Sequence, residues 1–331
     1  MAVLFVLICH TVVTLGTEPK GLPYIGHLAG FGTFGVLIFF VHTSLVLMLS
    51  LERMERPDGS VPVGEFYIRR IFRIYPLAMA TVLLTVVIKF SSLSTLDLIS
   101  NLGLFMNFTE SKMAIFPLWS LPYEIDMYAV LPFLFLFAIR FRSAWSVFGL
   151  LLVATVLATL QMHTTPKLDL IQYVGCFLPG IIAYQLSFRP RYSWPWWLWP
   201  TMIFTIAVGY TLLFHFRHPT PAFPIRWSCC LALGLAAPQF RTMPDGRIRQ
   251  WAHTVAKYSY GIYLLHILSL HFSFVYLANW GVAVPLRVVA FLVTIVVFPY
   301  AAYYLIEKPG IDVGKRLIKT WSRPRGLPEA A

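Results

Sequence analysis

The stretch Phe66-Tyr67-Ile68-Arg69-Arg70-Ile71-Phe72-Arg73-Ile74-Tyr75-Pro76 sets three arginines within five residues directly against an apolar run. On insertion scales each arginine at the centre of a spanning helix costs roughly 2.5–3.5 kcal/mol. Three together are therefore expected at a membrane face. The bias of Lys and Arg toward cytoplasmic loops makes that face the cytoplasmic one. The same side chains form an anion clamp, because guanidinium forks match phosphate geometry in a way that an ammonium does not. Arg70 and Arg73, with Arg69 beside them, are candidate anion ligands. Topology alone would also produce such a basic hinge.

Working outward, the remainder of the chain is strongly apolar. Its 331 residues are 58% hydrophobic and only 12% charged, with a mean hydropathy of +0.71. Soluble domains carry about 25% charged residues, so this composition fits a multi-pass membrane protein. Apolar runs of about 17–25 residues mark candidate spans, and about ten can be drawn: 1–16, 33–51, 75–91, 118–139, 144–161, 169–187, 194–215, 225–238, 254–276 and 284–306. The first has no charged leader and no small-residue cleavage site, which points to a structural helix rather than a signal peptide. With Arg69–Arg73 inside, the alternate loops and the C-terminal tail hold 19 of the 26 Lys and Arg residues. That asymmetry predicts an all-α membrane protein, a single domain of about ten transmembrane helices with both termini cytoplasmic. The net charge of +12 then reflects topology and anionic lipid headgroups, not nucleic acid. Cys9, Cys176, Cys229 and Cys230 lie in apolar runs without CxxC or Cys/His ligand spacing, so neither disulfides nor a metal are expected.

Ionisable groups inside a membrane are functional candidates by default. His10 falls near the outer end of the first segment. Glu124 and Asp126 fall just inside the outer end of the fourth, in Leu118-Trp119-Ser120-Leu121-Pro122-Tyr123-Glu124-Ile125-Asp126-Met127-Tyr128. Topology puts the histidine and a carboxylate at similar depth, and a carboxylate beside an imidazole fixes its tautomer and raises its basicity. The competing reading is a polar pair that knits two helices together. Being two apart, Glu124 and Asp126 point to different helix faces, so one of them is expected to face His10. His42 and His266 lie deeper and read as interhelical hydrogen-bonding groups. His163, His215 and His218 border outer loops and read as solvated. The cluster Trp194, Trp196, Trp197 and Trp199 with Pro195 and Pro200 reads as an interfacial belt. Gly30, Gly32 and Gly35 permit close approach of backbone to a neighbouring helix or a ligand. No G-x-S-x-G elbow, P-loop or G-x-G-x-x-G occurs.

Several of these pieces recur in one order. His10 is followed by Gly35-Val36-Leu37-Ile38-Phe39-Phe40, the Phe66–Pro76 hinge, and Leu118-Trp119-Ser120-Leu121 with Glu124 and Tyr128. Then come Tyr258-Ser259-Tyr260-Gly261-Ile262-Tyr263-Leu264-Leu265-His266 and Glu307-Lys308-Pro309. The set resembles the family-3 membrane acyltransferases over nearly the whole chain. The resemblance implies a ten-helix O-acyltransferase of a bacterial inner or plasma membrane, using cytoplasmic acyl-CoA, most commonly acetyl-CoA, as donor substrate. The acceptor it implies is a hydroxyl of a cell-surface polysaccharide, a lipid-linked glycan or another extracytoplasmic molecule, with polysaccharide-synthesis proteins as partners. By that likeness His10 matches the catalytic histidine, Arg70 and Arg73 match an R-x-x-R motif for donor handling, and Glu124 matches the acidic position after Trp-Ser-Leu, where it would orient the His10 imidazole. Two departures stand out. The arginine that family members carry about three turns before the histidine would precede Met1, so either the true start lies upstream or this member works without it. The usual Ser-Gly-Phe turn is replaced by His42-Thr43-Ser44-Leu45, which alters the central cavity.

Two other classes fit parts of the pattern. A secondary transporter or exporter of a glycan or lipid precursor could use intramembrane His and Glu as a proton relay, although no inverted repeat of broken helices is visible. A non-catalytic scaffold of a polysaccharide-synthesis assembly would not depend on His10.

Overall fold

The computed structural model describes residues 1–16, 29–88, 90–141, 143–164, 171–188, 193–216 and 223–321. Lys20, Lys89, Arg142, Lys167, Arg189, Arg191, Arg217, His218, Arg323 and Arg325, the His215 side chain and the start of the sixth apolar run lie outside the described residues. Among the described residues the chain is helical, and an isolated bridge between Trp194 and Phe240 is the extended pairing present.

The first half runs α1 (Ala2–Gly16), α2 (Ala29–Met54), α3 (Val63–Val87), short α4 (Thr95–Gly103) and α5 (Met106–Thr109), a 3₁₀ turn Phe116–Ser120 and α6 (Leu121–Phe141). Then follow α7 (Ala144–Thr164), α8 (Val174–Ser187), α9 (Leu198–Phe216) and α10 (Phe223–Ala236). The last part holds α11 (Arg247–Leu270), a π turn His271–Tyr276, α12 (Leu277–Asn279), α13 (Val284–Ala302), a π turn Tyr303–Glu307 and α14 (Lys308–Trp321).

Four helical stretches are long and apolar enough to cross a membrane: Gly30–Met54, Val63–Val87, Arg247–Asn279 and Val284–Trp321. Their outer faces fit hydrocarbon. Val289, Leu292, Val293, Val296 and Val297 of α13 are all exposed, as are Leu152, Val153, Val156 and Leu157 of α7. A contiguous apolar exterior of this kind belongs in lipid and not in water. This is an all-α membrane protein.

Its centre is α2, whose Phe34, Leu37, Phe40, Met48 and Leu51 are fully buried. Helix α2 packs on α1, α8 and α9, and Phe40 stacks on Phe177 of α8 at 4.3 Å between ring centroids. Between helices in lipid, close packing replaces the hydrophobic effect as the driving force. Gly35 supplies it: a Cβ there would lie 2.7 Å from the Ala2 carbonyl oxygen.

Three stretches differ from the sequence expectation. The arginine hinge is itself helical, since α3 starts at Val63 rather than 75. The last helix does not end near 306. It bulges at Tyr303–Glu307 and continues as amphipathic α14, with Gly314 and Ile318 buried and Lys315, Arg316 and Lys319 exposed. Helix α14 runs antiparallel along α3. A Cβ on Gly314 would lie 2.8 Å from the Phe72 Cβ, one on Gly310 2.8 Å from the Pro76 ring, and Trp321 covers Gly64. Finally, residues 95–117, which fall between two drawn spans, carry helical structure of their own. Ser94 caps α4 with a reciprocal Asp97 box at 3.0–3.1 Å, and the chain re-enters the bundle with Ala114, Ile115 and Leu118 buried before α6 begins.

Candidate active site

Among the described residues, two of the cavities along the bundle hold residues singled out above. The first, of about 560 Å³, is lined by Cys9, His10, Gly32, Phe116, Trp119 and Tyr173, among others. The second, of about 270 Å³, is lined by His42, Arg70, Arg73, Glu124, Tyr128 and Tyr260, among others. Val36 and Tyr263 line both. Three elements pass from one cavity to the other: α2 from Gly32 to Leu47, the Phe116–Tyr128 stretch, and α11 from Ile267 back to Ala256. The cavities are therefore stacked end to end, with Val36, Tyr263 and the Trp119–Ser120 step at their junction. Tyr263 is fixed there by a 2.8 Å hydrogen bond between its hydroxyl and that of Ser120.

In the first cavity His10 projects from α1 beside Phe116, at 5.3 Å between ring centroids. Its Nδ1 lies 3.2 Å from Nε2 of His266. His266 is 1% exposed, and its own Nδ1 reaches the carbonyl oxygens of Tyr263 at 2.7 Å and Ile262 at 3.2 Å. Gly32 packs on Cys9, whose Sγ would lie 2.8 Å from a Cβ there, and His10 Nε2 lies next to it, 3.8 Å from the same point.

The second cavity holds the arginines, and their fates differ. Arg69 turns outward to Glu65 at 3.6 Å, and Arg56 approaches the same carboxylate at 3.8 Å. Arg73 donates through Nη1 to Glu307, a carboxylate only 1% exposed at the end of the Tyr303–Glu307 π turn. Arg70 lines the cavity, with its guanidinium 6.0 Å from the Phe66 ring centroid. Its Nε is buried and, among the described residues, has no hydrogen-bond partner. Glu124 accepts a 3.0 Å hydrogen bond from Tyr128, one turn along α6.

The residues singled out in the sequence thus fall into separate groups. Arg70, Arg73 and Glu124 share a cavity. His10 and Glu124 line different ones, and Asp126 accepts from Asn107 of α5 at 2.6 Å. The reason is depth. Counting from Leu118 puts Glu124 near the end of the bundle, but Phe116, Pro117 and Trp119 already line the His10 cavity, so Glu124 sits farther in. What faces His10 is His266, which the sequence reading has as an interhelical hydrogen-bonding group; the bond it makes is to His10 of α1, and that pairing is what the reading did not foresee. The available signal was its register: Tyr263 and His266 are one turn apart on one face of α11. Glu307 was likewise visible only as part of Glu307-Lys308-Pro309. His42 opens on the arginine cavity, and His163 is exposed. The cysteines are free thiols, with Cys9, Cys176 and Cys230 buried. Among the described residues no group of three or more His, Cys, Asp or Glu side chains is arranged to hold a metal.

Chemically, one cavity offers an imidazole beside space for a polar reactant. The other offers cationic forks. A family model described as an acyltransferase domain matches residues 1–304, a span that includes every residue lining the two cavities. Glu307 and α14 lie beyond it. No curated protein and no solved structure matches the chain.

Proposed function

The chain belongs to acyltransferase family 3, and from that premise we propose that it O-acylates an extracytoplasmic hydroxyl at the expense of cytoplasmic acyl-CoA, with acetyl-CoA the first donor to test. The acceptor is a cell-surface polysaccharide, a lipid-linked glycan or another hydroxyl-bearing envelope molecule. The observation that carries this reading is the meeting of the two cavities at Val36 and Tyr263. A donor with an anionic head and a thin, flexible, thioester-tipped arm suits that shape. Its phosphates would lie against Arg70, with Arg73 held alongside by Glu307, and its arm would cross the junction to bring the thioester to His10. We take the bundle to comprise about ten spans with both termini cytoplasmic, which puts the arginine cavity on the donor side.

In this scheme the acceptor hydroxyl gives its proton to His10 as its oxygen attacks the thioester carbonyl carbon. The carbon–sulfur bond then breaks, and the CoA thiolate leaves and takes the proton back from His10. Passage of the acyl group through His10 itself would use the same imidazole. General-base catalysis of this sort contributes about 10²–10⁴-fold.

The test is release of free CoA from acetyl-CoA by purified protein in nanodiscs, with and without a cell-envelope extract as acceptor. Acceptor-stimulated release that drops by at least about a hundredfold in His10→Ala is the expected result. A well-folded protein that neither binds nor turns over acetyl-CoA or longer acyl-CoA donors would defeat the proposal and favour a transporter. Full activity in His10→Ala would remove the histidine from the chemistry.

A further inference from the structure

The acyltransferase reading needs His10 to present a lone pair to the acceptor, and two nitrogens could do so. We infer that His266 is a positioning residue which sets the His10 tautomer, so that Nε2 of His10 is the reactive nitrogen. The kinetic part of this inference rests on the acyltransferase reading; the structural part does not.

A chain of hydrogen bonds leads from the α11 backbone to His10. The Tyr263 and Ile262 carbonyl oxygens, 2.7 and 3.2 Å from His266 Nδ1, can only accept, so that nitrogen carries the hydrogen. In a neutral imidazole the other nitrogen, Nε2, is then the acceptor. His10 Nδ1 faces that lone pair at 3.2 Å, and two lone pairs at that distance would repel. His10 Nδ1 therefore carries a hydrogen and donates it. The lone pair of neutral His10 is left on Nε2, the nitrogen beside Gly32. The backbone of α11 thus dictates, through one buried ring, which atom of another helix is basic.

This is the job that a carboxylate performs in other general-base pairs, but a neutral histidine does it without placing an anion in the bundle. When His10 Nε2 takes the acceptor proton, the imidazolium still donates its Nδ1 hydrogen to His266, so the ring keeps its orientation through the step. Tyr263 anchors the relay through its carbonyl and forms the junction of the two cavities through its ring. Ring position and donor path are therefore tied to one residue.

The test has an arm that needs no activity. Protein labelled with ¹⁵N,¹³C-histidine in nanodiscs, above the pH at which its histidines are charged, reports each tautomer by nitrogen shifts, with signals assigned from His10→Gln and His266→Gln. Hydrogen on Nδ1 of both rings is expected in the wild type. In His266→Leu, His10 should revert toward the Nε2–H form that an isolated neutral imidazole favours. Hydrogen on Nε2 of His10 in the wild type would overturn the inference. In the kinetic arm, His266→Leu should lower kcat by roughly ten- to a hundredfold, within what a general base supplies, and leave KM for acetyl-CoA within about twofold. His266→Gln, whose amide oxygen can still accept from His10 Nδ1, should recover part of kcat. A Gln variant no better than Leu, or a loss that appears in KM, would reduce His266 to packing. Should His266→Leu fail to fold, the wild-type spectrum and the Gln variant decide. If the wild type turns nothing over, the acyltransferase reading fails and the spectra still settle the tautomer.

Discussion

Arg70 and Arg73 are separated by less than one turn of α3, yet their surroundings differ. Arg73 is already paired with buried Glu307, so its charge is committed to holding α14 as well as to the cavity. Arg70 carries a buried Nε without a partner among the described residues and faces the same space. A hydrogen bond to a charged group contributes about 1.5–3 kcal/mol. Arg70→Ala should therefore raise KM for acetyl-CoA by roughly ten- to a hundredfold with kcat little changed. Arg69→Ala, which removes only an exposed pair with Glu65, should leave KM within about twofold, because such pairs contribute about 0–1 kcal/mol. Steady-state CoA release measures both, and equal effects would show that the hinge acts only as a diffuse positive surface. Glu124 offers a second test. The sequence picks it out as an intramembrane carboxylate, and its neighbours Arg70 and Tyr128 depend on how far the chain has entered the bundle by Phe116, which residue spacing along one helix does not encode. Glu124→Gln should leave the His10 nitrogen shifts unchanged and alter donor binding. A shifted His10 signal would restore the histidine–carboxylate pair.

Helix α14 was hidden in the sequence by its own composition. Lys308, Lys315, Arg316 and Lys319 read as a basic cytoplasmic tail, and only the placement of Gly310 and Gly314 one turn apart hints at a partner surface. The structure sets those glycines against Pro76 and Phe72, directly behind the arginine cavity. Replacing Gly314 with Val would force α14 off α3. Overpacking of this kind costs about 1–3 kcal/mol, and it would also draw Glu307 away from Arg73. A lowered thermal midpoint together with a raised KM for acetyl-CoA is the expected result. A lowered midpoint alone would make α14 a structural prop. At the opposite end of α3, the Ser94–Asp97 box behaves differently. Hydrogen bonds from the Ser94 hydroxyl and backbone, then the Lys112 backbone, hold the Asp97 carboxyl below its ordinary value. A depressed folded-state value means that the cap's contribution is present above the unfolded carboxylate range and is lost as pH falls through the folded one. Hydrogen exchange in the first turn of α4 should accelerate on acidification through that window, and Asp97→Asn should abolish the pH dependence. A capping signature is present at Ser94–Asp97, but the segment lacks an apolar run long enough to span a membrane and so falls outside the spans drawn from the sequence.

For the whole molecule, what the sequence yields most directly is where the helices lie. Leu-, Val- and Phe-rich runs are long-range in composition and need no partner to be recognised. Cavities are different, because they are made by residues from α1, α2, α3, the Phe116–Ser120 turn, α6, α11 and Tyr173 that only packing brings together. The way the chain is oriented in the membrane ties both levels to function, and one geometric fact makes it testable. Trp321 covers Gly64, so the end of α14 and the α2–α3 connection lie on the same side of the protein. The Phe90–Lys112 region follows the other end of α3. Asp58 and Lys319 are exposed near the first end, and Ser92 is exposed beyond the second. Single cysteines at these positions, introduced where Cys9, Cys176, Cys229 and Cys230 have been replaced, can be probed in cells with a membrane-impermeant maleimide. If the arginine hinge faces the cytoplasm, Ser92→Cys reacts in intact cells, whereas Asp58→Cys and Lys319→Cys react only after lysis. The last two must agree with each other whichever way the protein lies, since packing of α14 on α3 binds them to one face. Discordant labelling would contradict the fold. Concordant labelling of both in intact cells would instead open the arginine cavity to the outside, where acyl-CoA is not supplied, and the acyl donor would have to be an anionic thioester or ester of extracytoplasmic origin.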